Sequence, residues 1–139
     1  MKKLAYLIKL LLLGAEHDLE YTKDTCNRTY HDNIPLVTDT DRKNCWECNF
    51  SRWEVYDKDM QRHIAHIAYD PSECYIIGLR VNKKYRKQGI GKELAHKAIE
   101  DMRAKHNCRE ISLISTSRGE KFWENLGAKP GNDFRHYFS

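Results

Sequence analysis

Two glycines and a cluster of basic residues lie together in the middle of the chain. Gly89 and Gly91 follow the basic stretch 83–87, and Lys92 comes directly after them. Glycines at the start of a helix let a ligand approach the backbone, and free amides together with the helix dipole favour a phosphate there. The segment is therefore predicted to cradle a phosphate group.

Two other glycine motifs are excluded by single positions. A dinucleotide-binding loop requires a third glycine where this chain has Leu94. A P-loop requires glycine where Arg86 stands, and Ser or Thr where Glu93 stands.

The same turn resembles the pyrophosphate motif of the GNAT superfamily of N-acetyltransferases. That motif reads Arg or Gln, two residues, Gly, one residue, then Gly or Ala, and this chain has Arg86-Lys87-Gln88-Gly89-Ile90-Gly91. An apolar strand ending at 79–81 precedes the turn, as in the family. Phe122-Trp123-Glu124-Asn125-Leu126-Gly127-Ala128 also resembles the family's later helix, and the resemblance covers about 50–138.

The resemblance implies an N-acetyltransferase that uses acetyl-CoA as cosubstrate. In such an enzyme the backbone of Leu79 and Val81 binds the pantetheine arm, and the thioester enters a gap between Leu79 and Ile114. The amides of the glycine turn bind the pyrophosphate. The full set of expected acetyl-CoA contacts is Leu79, Arg80, Val81, Arg86, Lys87, Gln88, Gly89, Ile90, Gly91, Lys92, Thr116 and Trp123.

Acetyl transfer to an amine requires a base, because a protonated amine is not a nucleophile. A period of two puts Glu73, Tyr75, Ile77, Leu79 and Val81 on one strand face. The resemblance implies a base on this face near the start of the strand, which makes Glu73 the first candidate, although a solvated carboxylate after a turn is an equally good interpretation. His66 and Glu54 are the alternatives.

The acid that protonates the leaving thiolate is harder to identify. Trp123 stands where the family commonly has a tyrosine, and Thr116 stands where it often has asparagine. Either Tyr75 or Tyr137 replaces the missing acid, or the thiolate leaves without one. The alternative function is a non-catalytic GNAT-fold module that binds CoA or a protein partner.

The elements that must position these residues follow from periodicity and turn signals. We predict strands over 50–56, 62–69, 74–81, 110–115 and 133–138, with helices over 89–106 and 117–127. The last helix has a capping box that starts at Ser117. The strand–helix–strand unit from Cys74 to Ser115 is a right-handed crossover, so its strands are parallel neighbours. Together with the resemblance, these elements predict an α/β (α+β) fold, in which the resemblance implies a mixed and mostly antiparallel sheet with a splayed parallel pair and helices on both faces.

The chain is predicted to form one domain, 1–139, with an atypical part over 1–45 and an acetyl-CoA-binding core over 50–138. Residues 1–13 are rich in leucine but interrupted by Lys9, which favours a buried helix over a signal or an anchor. A continuation of this first helix into further helical structure over 14–30 is an option.

Composition limits the partners. A net charge of only +4 suits an anionic small ligand better than a nucleic-acid coat. The expected acceptor is an amine of a small molecule or protein, and no nucleic acid is expected beyond a charged tRNA. No membrane partner is expected, and a homodimer is an option.

Five cysteines without a convincing secretion signal indicate reduced thiols and a cytoplasmic location. A zinc site is the alternative use of the N-terminal thiols, although a single CxxC is a weak signal and no metal is expected. Its four ligands would be Cys26, His31, Cys45 and Cys48.

Overall fold

The computed structural model describes residues 18–24, 30–31, 34–35 and 50–139. For Asp24, 30–31 and 34–35 it describes the backbone alone. The predicted first helix over 1–13 and the cysteines at positions 26, 45 and 48 lie outside the described residues.

Nine strands and two α-helices make up the described part of the chain. The strands are β1 Leu19–Asp24, β2 Tyr30–His31, β3 Ile34–Pro35, β4 Ser51–Asp57, β5 Arg62–Asp70, β6 Tyr75–Val81, β7 Ile111–Leu113, β8 Lys129–Pro130 and β9 His136–Phe138. The helices are α1 Ile90–His106 and α2 Glu120–Asn125, and one turn of 3₁₀ helix spans Lys83–Tyr85.

Seven of these strands form one mixed sheet in the order β1-β4-β5-β6-β7-β9-β8, and β2 pairs with β3 separately. Only β6 and β7 are parallel, and every other neighbouring pair is antiparallel. The predicted mixed, mostly antiparallel sheet with one parallel pair is confirmed.

Both helices pack on one face of this sheet, which we call the helix face. The Nζ of Lys97 on α1 lies 4.9 Å from the ring centroid of Trp53 on β4. Trp123 on α2 packs edge-on against Phe138 on β9, with ring centroids 6.2 Å apart. The buried core lies between this face and the helices. Its largest fully buried apolar members are Tyr69, Ile67, Ile76, Leu94, Met102, Ile111, Leu113 and Val55.

A buried carboxylate ties α1 to the sheet. Asp101 accepts a hydrogen bond of 2.7 Å from the hydroxyl of Tyr69 and one of 3.0 Å from the Nζ of Lys23. Burial by itself raises the pKa of Asp101, but these two hydrogen bonds and the charges of Lys23 and Lys105 lower it overall. Helix and sheet are therefore joined by an ion pair that is satisfied on several sides.

The structure differs from one local option and from one local prediction. The segment Leu19–Asp24 is an edge strand, whereas a continued helical layer was the option considered for it. Leu19 and Tyr21 are half-buried against the core, so apolar side chains alternate along this segment with the period of a strand rather than that of a helix. At α2, Glu120 is the first helical residue and its N-cap is Gly119, so no capping box forms at Ser117.

Two of the five cysteines are joined, contrary to the expectation of free thiols. Cys74 and Cys108 form a disulfide with an S–S distance of 2.08 Å. Cys74 immediately precedes β6, and Cys108 lies in the connection from α1 to β7. The disulfide therefore links the starts of the two parallel strands.

Candidate functional site

The parallel strands β6 and β7 pair over a very short distance and then separate. Only two pairs of residues face each other across these strands, Tyr75 with Ser112 and Ile76 with Leu113. Beyond these pairs β6 continues to Val81 while β7 ends, which leaves a space between 77–81 and 114–116 that we call the strand gap. Ile77 and Ile114, one on each side, are 37% and 48% exposed, so apolar side chains lie at its edges.

A β-bulge in front of the gap changes which way the side chains of β6 point. Ile67 pairs with Leu79, but after the register shift Tyr69 pairs with Ile76. Ile76 and Leu79 therefore share the helix face although they are three residues apart. The prediction that Tyr75 lies on the same strand face as Leu79 was wrong, because the bulge turns Tyr75 to the opposite face.

The glycine turn lies at the open end of the gap. Asn82 caps the 3₁₀ turn by accepting a 3.1 Å hydrogen bond from the amide of Lys84. Lys87 and Gly89 then take left-handed backbone conformations, with φ of 65° and 82°, and α1 begins at Ile90. Gly89 is the N-cap and has no side chain to bond the first amides of the helix. Those amides remain available to an anion.

The space around the two glycines differs. A Cβ at Gly89 would meet no atom within 4 Å, so a ligand can approach the backbone there. A Cβ at Gly91 would lie 3.4 Å from the ring of Phe122 and 3.6 Å from Leu79, which are ordinary contacts, so this position faces packed side chains rather than open space. Exposed basic side chains surround the turn, namely Lys83, Lys84, Arg86, Lys87 and Lys92. This arrangement fits a pyrophosphate in charge and in space.

A buried hydrogen bond holds the turn to the neighbouring strands. The hydroxyl of Tyr85 donates to the carboxylate of Asp57, and both residues are buried. The guanidinium of Arg62 lies 5.7 Å from the centroid of the Tyr85 ring. Burial, followed by the hydrogen bond to Asp57, raises the pKa of Tyr85, so its hydroxyl stays protonated. Sequence reasoning missed this pair, for which a tyrosine in the middle of the basic stretch was the only signal.

Several expected acetyl-CoA contacts have other structural roles. The Nε of Arg86 donates to the carbonyl of Val81 at 3.1 Å, which closes the turn on the end of β6. Thr116 accepts a 3.2 Å hydrogen bond from the amide of Gly119 through its hydroxyl, so it shapes the start of α2. Trp123 is buried in the core. Its neighbour Phe122, rather than Trp123, lies against the glycine turn at Gly91.

The sheet face opposite the helices, which we call the second face, carries a polar row next to the gap. Glu54, His66 and Arg80 are register partners across β4, β5 and β6. They alternate with residues of the helix face and therefore point to the second face. Burial, followed by the charges of Arg52 and Arg80, lowers the pKa of His66, while Glu54 acts in the opposite direction. The imidazole is accordingly neutral at pH 7.

The three predicted catalytic residues occupy different places. Tyr75 and Tyr137 lie in one row of the second face with Ser112 between them, at the closed end of the gap. Glu73 is exposed in the turn before β6, and it does not belong to the strand. The next residue, Cys74, has a φ of 50°, so the strand periodicity cannot be extended back to Glu73.

The two tyrosines differ in their partners. The hydroxyl of Tyr137 donates to Asp133 at 2.6 Å, and this hydrogen bond raises the pKa of Tyr137 and lowers that of Asp133. Among the described residues, none hydrogen-bonds to the hydroxyl of Tyr75. The guanidinium of Arg135 lies 5.4 Å from the centroid of the Tyr75 ring.

The family model for the acetyltransferase (GNAT) family matches residues 23–128 of the chain. No curated protein sequence matches it. Within 18–24 and 50–139, no helix is long and apolar enough to cross a membrane.

Solved structures resemble the chain in fold at low sequence identity. Spermidine/spermine N-acetyltransferase SpeG from Vibrio cholerae superposes with a TM-score of 0.57 at 13% identity, covering 86% of this chain and 91% of that one. A GNAT-family acetyltransferase from Staphylococcus aureus Mu50 gives 0.57 at 18% identity, with 85% and 98% covered. A candidate acetyltransferase from Exiguobacterium sp. 255-15 gives 0.61 at 15% identity, with 88% and 93% covered.

Proposed function

The chain belongs to the acetyltransferase (GNAT) family, and on that premise we propose that it transfers the acetyl group of acetyl-CoA to a primary amine within a ternary complex. When bound, acetyl-CoA supplies an activated thioester carbonyl. The observation that carries the proposal is the strand gap, which opens after two residue pairs and is bordered at its open end by the glycine turn. Unpaired strand edges and unpaired helix amides meet at one opening, which a long ligand with an anionic end fits.

In this proposal, binding relies mainly on the backbone. The edge of β6 pairs with the amide groups of the pantetheine arm in the manner of an added strand, through Leu79 and through the amide of Val81, whose carbonyl already accepts from Arg86. The amides after Gly89 hold the pyrophosphate, with Lys87 and Lys92 adding charge. The side chain of Ile90 is buried, so only its amide takes part.

The acceptor amine approaches from the second face, because α1 and α2 cover the helix face. His66 is the best supported base, since it lies on that face beside β6 and is neutral at pH 7. Glu54 is a weaker candidate because it already pairs with Arg52 and His63, each at 3.4 Å. Glu73 remains a candidate, but its place in an exposed turn supports it less.

The amine nitrogen forms a bond to the acetyl carbon while the carbon–sulfur bond breaks. One proton leaves the nitrogen for the base, and the departing thiolate takes up a proton. Tyr75 is the better supported acid, because the hydroxyl proton of Tyr137 is already bonded to Asp133. Both tyrosines lie at the closed end of the gap, where the thioester would end.

A thiol-release assay with acetyl-CoA and a panel of amines tests the function. We expect amine-dependent release of free CoA and a product heavier by one acetyl group. Binding of CoA without turnover on any amine would leave only the non-catalytic binding module, whose support is the core position of Trp123.

Matched variants then separate the candidate bases. General-base assistance is worth about 10²–10⁴-fold, so His66→Gln should lower kcat by that order while Glu73→Gln stays near wild type. The loss should shrink at high pH, where the free amine is already abundant. The opposite ranking of the two variants would return the base to Glu73.

A further inference from the structure

We infer that the acceptor carries a carboxylate in addition to its amine, and that Arg80 and Arg52 on the second face recognise it. This inference rests on the proposed function, because it concerns the acceptor side of the same strand gap. Three features of this face support the inference: its shape, the charge of Arg80, which pairs with no described residue, and the engagement of the described carboxylates beside the floor.

A shallow floor of small residues lies on the second face in front of the gap. Arg52, Ala68 and Gly78 are register partners across β4, β5 and β6. Gly78 is exposed, and a Cβ at that position would meet no atom within 4 Å. The floor is therefore bordered by Arg52 at one end and by the bulge of β6 at the other, with the Glu54–His66–Arg80 row alongside.

Positive charge surrounds this floor on three sides. Arg52 projects from β4, Arg80 from β6, and Arg135 lies over the ring of Tyr75. Arg80 is exposed, and no described residue forms a hydrogen bond or an ion pair with it. A guanidinium without a partner beside the expected amine position is suited to a carboxylate, which it binds through two parallel hydrogen bonds.

Three carboxylates on the same face are already engaged. Glu54 pairs with Arg52 and His63, Asp70 accepts two hydrogen bonds from Ser72, and Asp133 accepts one from Tyr137. Glu73 and Glu110, which have no hydrogen-bond or ion-pair partner among the described residues, lie just before β6 and β7, beyond the closed end of the gap. On the described floor itself, a polyamine, which carries only positive charge, finds no unpaired carboxylate. The charge pattern thus favours an acceptor that is itself partly anionic.

A matched pair of acceptors isolates the carboxylate. L-Lysine and cadaverine differ only by that group, and L-ornithine and putrescine form a second such pair. We expect wild type to acetylate each amino acid with a kcat/KM roughly 10- to 100-fold above that of its diamine, the range that a charged hydrogen bond contributes.

Arg80→Gln tests the recognising residue. The ratio of kcat/KM for L-lysine over cadaverine should fall by roughly 10-fold or more, because only the amino acid loses a partner. Any damage to the acetyl-CoA contacts reduces both activities and cancels in the ratio. Lys121→Gln, which removes a charge from α2 on the helix face, should leave the ratio unchanged, and Arg52→Gln provides a second variant if Arg80→Gln does not fold.

Different results would overturn the carboxylate inference and the acetyltransferase function. Equal activity on both members of each pair, or a preference for the diamines, overturns the carboxylate inference and leaves the acetyltransferase function intact. If no amine is acetylated, the proposed function fails, and calorimetric titration of L-lysine and cadaverine into the CoA-loaded protein decides the inference. Weaker binding of L-lysine by Arg80→Gln supports it, and no difference from wild type overturns it.

Discussion

The hydrogen bond between Tyr85 and Asp57 lends itself to a clean test, because one atom can be removed from it. Tyr85→Phe deletes the hydroxyl and keeps the aromatic ring beside Arg62, 5.7 Å from the ring centroid in wild type. The Asp57 carboxylate retains its hydrogen bonds from the amides of Asp59 at 2.9 Å and Met60 at 3.2 Å. The change therefore removes the link from the glycine turn and preserves the β4–β5 turn.

The expected cost follows from the charge and burial of the pair. A hydrogen bond to a charged group contributes about 1.5–3 kcal/mol to stability, and both residues here are buried. For a chain of this length that loss corresponds to a fall in melting temperature of roughly 5–12 °C. Affinity for CoA should fall as well, since the turn that presents the helix amides is less firmly held.

Thermal unfolding by circular dichroism measures the first effect, and calorimetric titration of CoA measures the second. Tyr137→Phe is the matched control, because it also removes a hydroxyl that donates to an aspartate, but in a hydrogen bond that is exposed to solvent. Its melting temperature should stay close to that of wild type. If Tyr85→Phe melts like Tyr137→Phe, the buried bond does not stabilise the turn and the reasoning is refuted.

Three further predictions concern stability. Replacing Cys74 and Cys108 together by serine should lower the free energy of unfolding by about 4 kcal/mol, because the disulfide restricts the unfolded chain over a separation of 34 residues. Urea titration of wild type with and without a reductant should show the same difference. Gly89→Ala should cost about 1–2 kcal/mol in chemical denaturation, because its φ of 82° is unfavourable for a residue with a Cβ. Gly91→Ala, whose new methyl makes only ordinary contacts, should unfold like wild type. The contribution of Asp101, whose folded pKa lies below its usual 3.8, is complete above that value and is lost as the pH falls through the folded pKa. Asp101→Asn should therefore be less stable at pH 7 and should lose less stability than wild type on acidification.

The core of the fold was predictable because its periodicities are regular. The strand before the turn and the 17-residue helix after it were both found within one or two residues of their ends. β1 was missed because it lies at the edge of the sheet, where the apolar alternation rests on Leu19 and Tyr21 alone. A two-residue signal of this kind is too short to distinguish a strand from an irregular segment.

The errors at the site have a different origin. Assigning faces by a period of two assumes an unbroken register, and the shift between Ala68 and Tyr69 breaks it just where Tyr75 lies. Pairings between distant residues, such as Tyr85 with Asp57 and Cys74 with Cys108, depend on the tertiary fold. The local sequence around each residue does not indicate which distant residue it will contact.

The disulfide at the closed end of the strand gap has a mechanical consequence. With the starts of β6 and β7 pinned together, the strands cannot slide apart, so the gap widens only by rotation about that end. β6 has 7 residues and, at about 3.3 Å each, acts as a lever roughly 20 Å long. Tilting this lever by about 3° moves its far end by roughly 1 Å, while the closed end hardly moves. The oxidised chain would thus admit a ligand by tilting one strand about a fixed pivot.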